Sequence, residues 1–63
     1  MIGGINMEVR LEMDTWNIND EYFITEGMYG YEVHTCGTDE EDAKEVYSSE
    51  SFEECLTWVW NSL

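Results

Sequence analysis

The strongest constraint on the fold lies at the end of the chain, in Ser51-Phe52-Glu53-Glu54-Cys55-Leu56-Thr57-Trp58-Val59-Trp60-Asn61-Ser62-Leu63. Ser51 followed three residues later by Glu54 is a capping box, whose two side chains satisfy N–H groups that a first helical turn leaves unpaired. The spacing predicts a helix over 51–63. At about 100° per residue, Phe52, Cys55, Leu56, Val59 and Leu63 share one side with Trp60 on its flank. Glu53 and Glu54 lie outside that stripe, near the positive end of the helix dipole. Trp58 also falls outside it. A helix this short is marginal alone in water, so the preceding residues must provide a surface that covers its stripe.

Those residues read as strands. Met7, Val9, Leu11 and Met13 alternate with Glu8, Arg10, Glu12 and Asp14, the period of a half-buried strand. Trp16 sits on the polar side of that alternation, and Asn17-Ile18-Asn19-Asp20 supplies turn residues. Tyr22-Phe23-Ile24-Thr25 is a β-favouring run stopped by Gly27. From Met28 to Cys36 the pattern resumes, with Tyr29, Tyr31, Val33 and Thr35 on one face and Gly30, Glu32, His34 and Cys36 on the other. Residues 21–36 form one kinked strand or two; Gly27 and Gly30 favour a break. Cys36 to Ala43 is an acidic turn, or Asp39 to Lys44 is one helical turn capped by Thr38 or Asp39. Lys44 to Ser48 is a short last strand. The expected fold is α+β: a three- to four-stranded antiparallel meander over 7–48 with one C-terminal helix on one face, preceded by a frayed leader over 1–6.

A single domain of 63 residues buries only about 60% of its unfolded surface and has no room for a deep enclosed active site. Aromatics at 14% and four methionines argue against disorder despite the charge. Stability is thin enough that either a monomer or a homodimer is expected. Two cysteines, Cys36 and Cys55, are too few for a secreted disulfide framework, and the start Met1-Ile2-Gly3-Gly4-Ile5 lacks the basic region and apolar run of a signal peptide. No stretch approaches the ~20 apolar residues of a membrane span. A reducing bacterial cytoplasm with free thiols is expected, a Cys36–Cys55 bond being the lesser alternative.

The 15 Asp and Glu residues face only Arg10 and Lys44, a formal charge of -13. Direct binding to DNA, RNA or an anionic bilayer would oppose like charges and release no phosphate counterions, so these are excluded as partners. The charge exceeds the magnitude of about 2–8 that solubility asks of a small domain. A basic protein surface is its natural complement. Self-repulsion at this charge predicts that added salt stabilises the fold.

Chemistry is less well served. Asp39-Glu40-Glu41-Asp42 lacks the glycine and glutamate of a calcium loop in EF-hand register. His34, Cys36 and Cys55 make a conceivable metal set, but the alternation puts Cys55 against the opposite sheet face from the other two. With one histidine, no Ser-His-Asp spacing and no glycine-rich phosphate loop, neither an enzyme, a cofactor nor a metal is expected.

Strand residues two apart are about 6.5–7 Å apart, close to the phosphate spacing of a nucleic-acid strand. A sheet face of carboxylates is therefore able to present charge where a basic groove expects phosphates. The residues expected to meet a partner are Glu8, Glu12, Asp14, Glu32 and Asp39, Glu40, Glu41 and Asp42, with Trp16 as an exposed aromatic. Trp58 is the second such indole, with Tyr29 and Tyr22 behind it; the competing reading is that the indoles cover the rim of a shallow core. A solvated acidic face without a partner is the bland alternative for the charge.

In size, acidity and layout the chain resembles the small phage-encoded anti-CRISPR proteins, several of which mimic DNA to block a CRISPR effector, and phage inhibitors of restriction enzymes. Val46-Tyr47-Ser48-Ser49-Glu50-Ser51-Phe52-Glu53-Glu54-Cys55-Leu56 looks like the strand-to-helix passage of many small phage and bacterial proteins. The resemblance implies a stoichiometric inhibitor of a DNA-binding defence complex. The rivals are an antitoxin-like or regulatory module that covers a basic protein without copying DNA, and a small accessory structural protein.

Overall fold

The computed structural model of the chain describes residues 7–63, and the leader expected over 1–6 lies outside them. The elements are β1 (Val9–Glu12), β2 (Thr15–Ile18), β3 (Tyr22–Gly27), β4 (Gly30–Thr35), β5 (Glu45–Ser49) and α1 (Phe52–Ser62). The strands form one antiparallel sheet in chain order. The α+β meander with a C-terminal helix is thus present, with five strands in place of three or four.

The added strand comes from a turn without an ordinary turn sequence. The alternation that begins at Met7 stops at Met13 and Asp14, both at positive φ (47° and 67°), the signature of a type I′ hairpin. Methionine rarely adopts that conformation because its Cβ crowds the backbone, so nothing local announced the reversal. The chain returns as β2, and Trp16 lies opposite Leu11. Asn19 and Asp20, at φ 54° and 58°, make the next reversal with residue types that tolerate it. The Glu21 N–H donates to Ile18 O at 3.0 Å, and Asn17 Oδ1 accepts the Asp20 N–H at 2.9 Å. Asn19 Oδ1 accepts the Glu8 N–H at 2.7 Å, tying the turn to the start of β1.

Residues 21–36 form two strands, joined through Met28 and Tyr29 with Gly27 opposite Gly30. Gly30 has φ 145°, and a Cβ there would stand 2.6 Å from Ser49 O and 2.8 Å from Glu50 Cα. No side chain fits. Between β4 and β5 the helical alternative is not realised: Thr38 Oγ1 accepts the N–H groups of Glu40 (3.2 Å) and Glu41 (3.0 Å), and the Thr38 N–H donates to Glu41 O at 2.7 Å. This compact turn turns the acids outward, leaving them exposed.

Ser51 is the helix N-cap, its hydroxyl accepting the Glu54 N–H at 3.3 Å. The return arm of the box passes through a third residue. Ser49 Oγ accepts the Ser51 N–H at 3.1 Å and donates to the Glu54 carboxylate.

Directly paired residues share a sheet face, so Leu11, Trp16, Ile24, Val33 and Tyr47 make one row across all the strands on the helix side. The helix lies over β4 and β5. Ile18, Ile24, Val33, Cys55 and Val59 are fully buried, each apolar side chain contributing about 1.5–3 kcal/mol. Met7, Phe52, Leu56 and Leu63 pack around them as the stripe and alternation predict. One expectation is corrected, and of the two readings of the indoles the rim of the core is the one realised. Val9, Leu11 and Met13 are exposed, at 41%, 68% and 96%, because the helix does not extend over β1. Trp16 and Trp58 are half-buried in the core's aromatic margin: Trp16 lies 4.7 Å from Phe52, and Trp58 stacks on Tyr47 at 5.5 Å. Trp60 is exposed. Cys36 and Cys55 are free thiols, and no helix among the described residues is long and apolar enough to cross a membrane.

Candidate partner-binding surface

The face away from the helix carries the polar half of each alternation. One of its cross-strand rows reads Arg10, Asn17, Phe23, His34, Glu45; its neighbour reads Glu12, Thr15, Thr25, Glu32, Ser48. A ladder of carboxylates along a strand is therefore not formed. Arg10 stands between Glu8, just before β1, and Glu12, and Glu12 and Glu32 are three strands apart, roughly 14 Å.

Acids do gather at one end of this face. In a meander the β2–β3 turn and the β4–β5 loop share an end, and here the Cys36 N–H donates to Glu21 O at 2.9 Å. Burial first, then the charges of Asp20, Glu12 and Glu21, push the Cys36 thiol above its ordinary value of 9.0. All three charges therefore act on this thiol in the same direction. Arg10 answers them in part, with Nη2 at 2.5 Å from Asp20 Oδ1, 3.6 Å from Glu12 Oε2 and 3.4 Å from Asn17 Oδ1. Asp39, Glu40, Glu41 and Asp42 continue the surface from the adjoining loop, exposed and without a cation within 4 Å among the described residues.

The residues expected to meet a partner are thus divided. Glu8, Glu12 and the 39–42 loop border the acidic end and outer face. Asp14 occupies the β1–β2 turn, at the opposite end from that loop, and Trp16 is on the helix side. Glu32 lies on the outer face against β5. Sequence spacing missed Asp20, Glu21 and Glu45 as parts of a surface, because only strand pairing brings them beside Glu12, Cys36 and Glu32.

The exposed aromatic beside carboxylates is Tyr29, not Trp16, and it lies at the opposite end of the sheet from the 39–42 loop, next to Glu32, Glu45 and Glu50. Tyr29 and Met28, at the tip of the β3–β4 hairpin, are 86% and 88% exposed. They border an open groove of about 550 Å³ that Tyr31, Glu32, Glu45 and Glu50 also line. An aromatic ring beside carboxylates, in a groove of this size, suits a Lys or Arg side chain.

No family model, curated protein or solved structure matches the chain.

Proposed function

We propose that this chain is a stoichiometric, non-enzymatic inhibitor that occupies the basic DNA-binding surface of a bacterial defence complex, in the manner of the phage anti-CRISPR proteins it resembles. The observation that carries the reading is the acidic end of the outer face. There Arg10 bridges Asp20 and Glu12, the Glu21 carbonyl holds the Cys36 N–H at the start of the β4–β5 loop, and Asp39 to Asp42 extend the same surface with no described cation within 4 Å. Such a surface attracts a Lys/Arg-rich groove at long range and repels nucleic acid, so the chain competes with DNA instead of binding it. Tyr29 and Met28, beside the Glu32 and Glu50 carboxylates, supply the apolar anchor that charge alone lacks.

The test is capture of host proteins from bacterial lysate at low and high salt, followed by competition of the captured protein with its DNA. Inhibition requires that DNA and this chain exclude one another and that the double variant D20N/E21Q, or neutralisation of residues 39–42, weakens capture. A second reading, an antitoxin-like or regulatory module, is favoured by one specific feature: Val9, Leu11 and Met13 form an exposed apolar strip that has no counterpart in a nucleic-acid backbone. It predicts that L11K abolishes capture while DNA and this chain bind the partner together.

A further inference from the structure

We infer that the outer face of the sheet holds a divalent transition-metal site, of the zinc class, formed by Glu32, His34 and Glu45. One ligand atom from each lies within 4.8 Å of the others. Two separate features of the fold bring them there. Glu32 and His34 are two apart on β4 and so point from the same face. Glu45, in β5, is set opposite His34 by a register shift between Val33 and His34; Val33 pairs Tyr47 while His34 pairs Glu45, leaving Val46 as the extra residue. A bulge of this kind re-aims side chains.

The imidazole is held in place by stacking on Phe23, ring centroids 4.9 Å apart and planes within 7°. The Glu32 carboxylate lies over Gly27, where a Cβ would come within 3.1 Å of Oε2, so the absence of a side chain there makes its room.

The one close contact is long for a hydrogen bond and suits a metal's ligand spacing. His34 Nε2 stands 3.4 Å from Glu32 Oε1, beyond the range of about 2.7–3.2 Å for a good N–H···O contact. It matches the edge of a tetrahedron, about 3.4 Å, around an ion with ligands at about 2.1 Å. Glu45, exposed at the first position of its strand, closes on the same centre by rotation of its side chain. No Arg or Lys among the described residues lies within 4 Å of either glutamate. Two carboxylates therefore converge beside an imidazole with no fixed cation to balance them, and a divalent ion supplies that balance. An imidazole ligand selects the zinc class over magnesium or calcium, which prefer all-oxygen sets. Three protein ligands leave a fourth position open to water or to a donor from a partner. This inference does not depend on the proposed inhibitory function.

The test is titration of the chelator-treated full chain with zinc chloride in excess magnesium chloride, which occupies the diffuse acidic surface. Calorimetry gives the stoichiometry and histidine NMR the ligand. The site requires one zinc per chain, a shift of the His34 ring resonances, and a loss of affinity of at least about tenfold in both H34Q and E45Q. C36S and the loop double variant E40Q/E41Q must bind zinc as the parent does. E45Q changes an exposed side chain and keeps the test decisive if H34Q fails to fold. Several weak equivalents displaced by magnesium, binding that survives E45Q, or binding lost in C36S would each overturn the site.

Discussion

The two halves of the sheet carry the same apolar alternation and meet opposite fates. In β3 and β4, Ile24 and Val33 are wholly buried beneath Cys55 and Val59 of the helix, whereas in β1, Val9 and Leu11 stand on the same face and remain open to water. Leu11 and Ile24 even belong to one cross-strand row, separated by Trp16. A period of two tells which face a side chain takes. Whether that face is covered depends on the reach of an eleven-residue helix laid over β4 and β5.

The sharpest way to break this comparison is to truncate one covered and one uncovered member of the row. I24A should destabilise the fold by about 2–5 kcal/mol through lost burial and a cavity, while L11A should change it by no more than about 0.5 kcal/mol. Urea unfolding of the two variants checks this, and equal losses would mean that β1 is covered in solution. G30A comes next, because it adds both a contact and strain where the covered half closes against β5. The cost should be about 1–3 kcal/mol, read from the same urea midpoints. S51A removes the cap that starts the helix, costing about 1 kcal/mol. Thermal unfolding of S51A alone and with L11A should show that the cap loss is unchanged by an alteration in the uncovered hairpin.

Cys55 reports on the covered half through pH. Burial, and next the charge of Glu54, hold its thiol above the ordinary 9.0 in the folded chain, against a smaller downward pull from a backbone hydrogen bond with Ser49. Because the folded state keeps this proton more tightly, the associated stability is complete below about pH 9 and is lost as pH rises through the folded value. Urea midpoints should therefore fall more steeply above pH 9 in the parent chain than in C55A. The smallest effect expected is that of salt. Raising sodium chloride from about 10 to 200 mM should lift the melting temperature by a few degrees as repulsion among the carboxylates is screened; an unmoved melting temperature would mean that the charges are spaced too widely to oppose folding.

The helix was legible because its signals are local: Ser51 and Glu54 mark the start, and the stripe from Phe52 to Leu63 names the buried side. The break between β3 and β4 was legible from Gly27 and Gly30 for the same reason. The β1–β2 hairpin was not, since Met13 resists the positive φ that the turn requires and a single Asp14 is a weak signal, so the reversal is stabilised by the pairing of strands around it. The placement of Trp16 followed from that pairing as well, and that of Trp58 from the seating of the helix on Tyr22 and Tyr47. Among the surface residues, the 39–42 acids could be assigned to an exposed loop directly, but their nearness to Asp20 and Glu21 required the sheet.

By itself the sequence determined the charge, the helix with its cap and stripe, and the alternation that sorts β-strand side chains into two faces, all of them properties of neighbours along the chain. Tertiary structure alone decided which apolar face is dry, which carboxylates act on Cys36, and that Glu45 stands across from His34. Those outcomes depend on register and on helix placement, where contacts between residues far apart in sequence outweigh local preference.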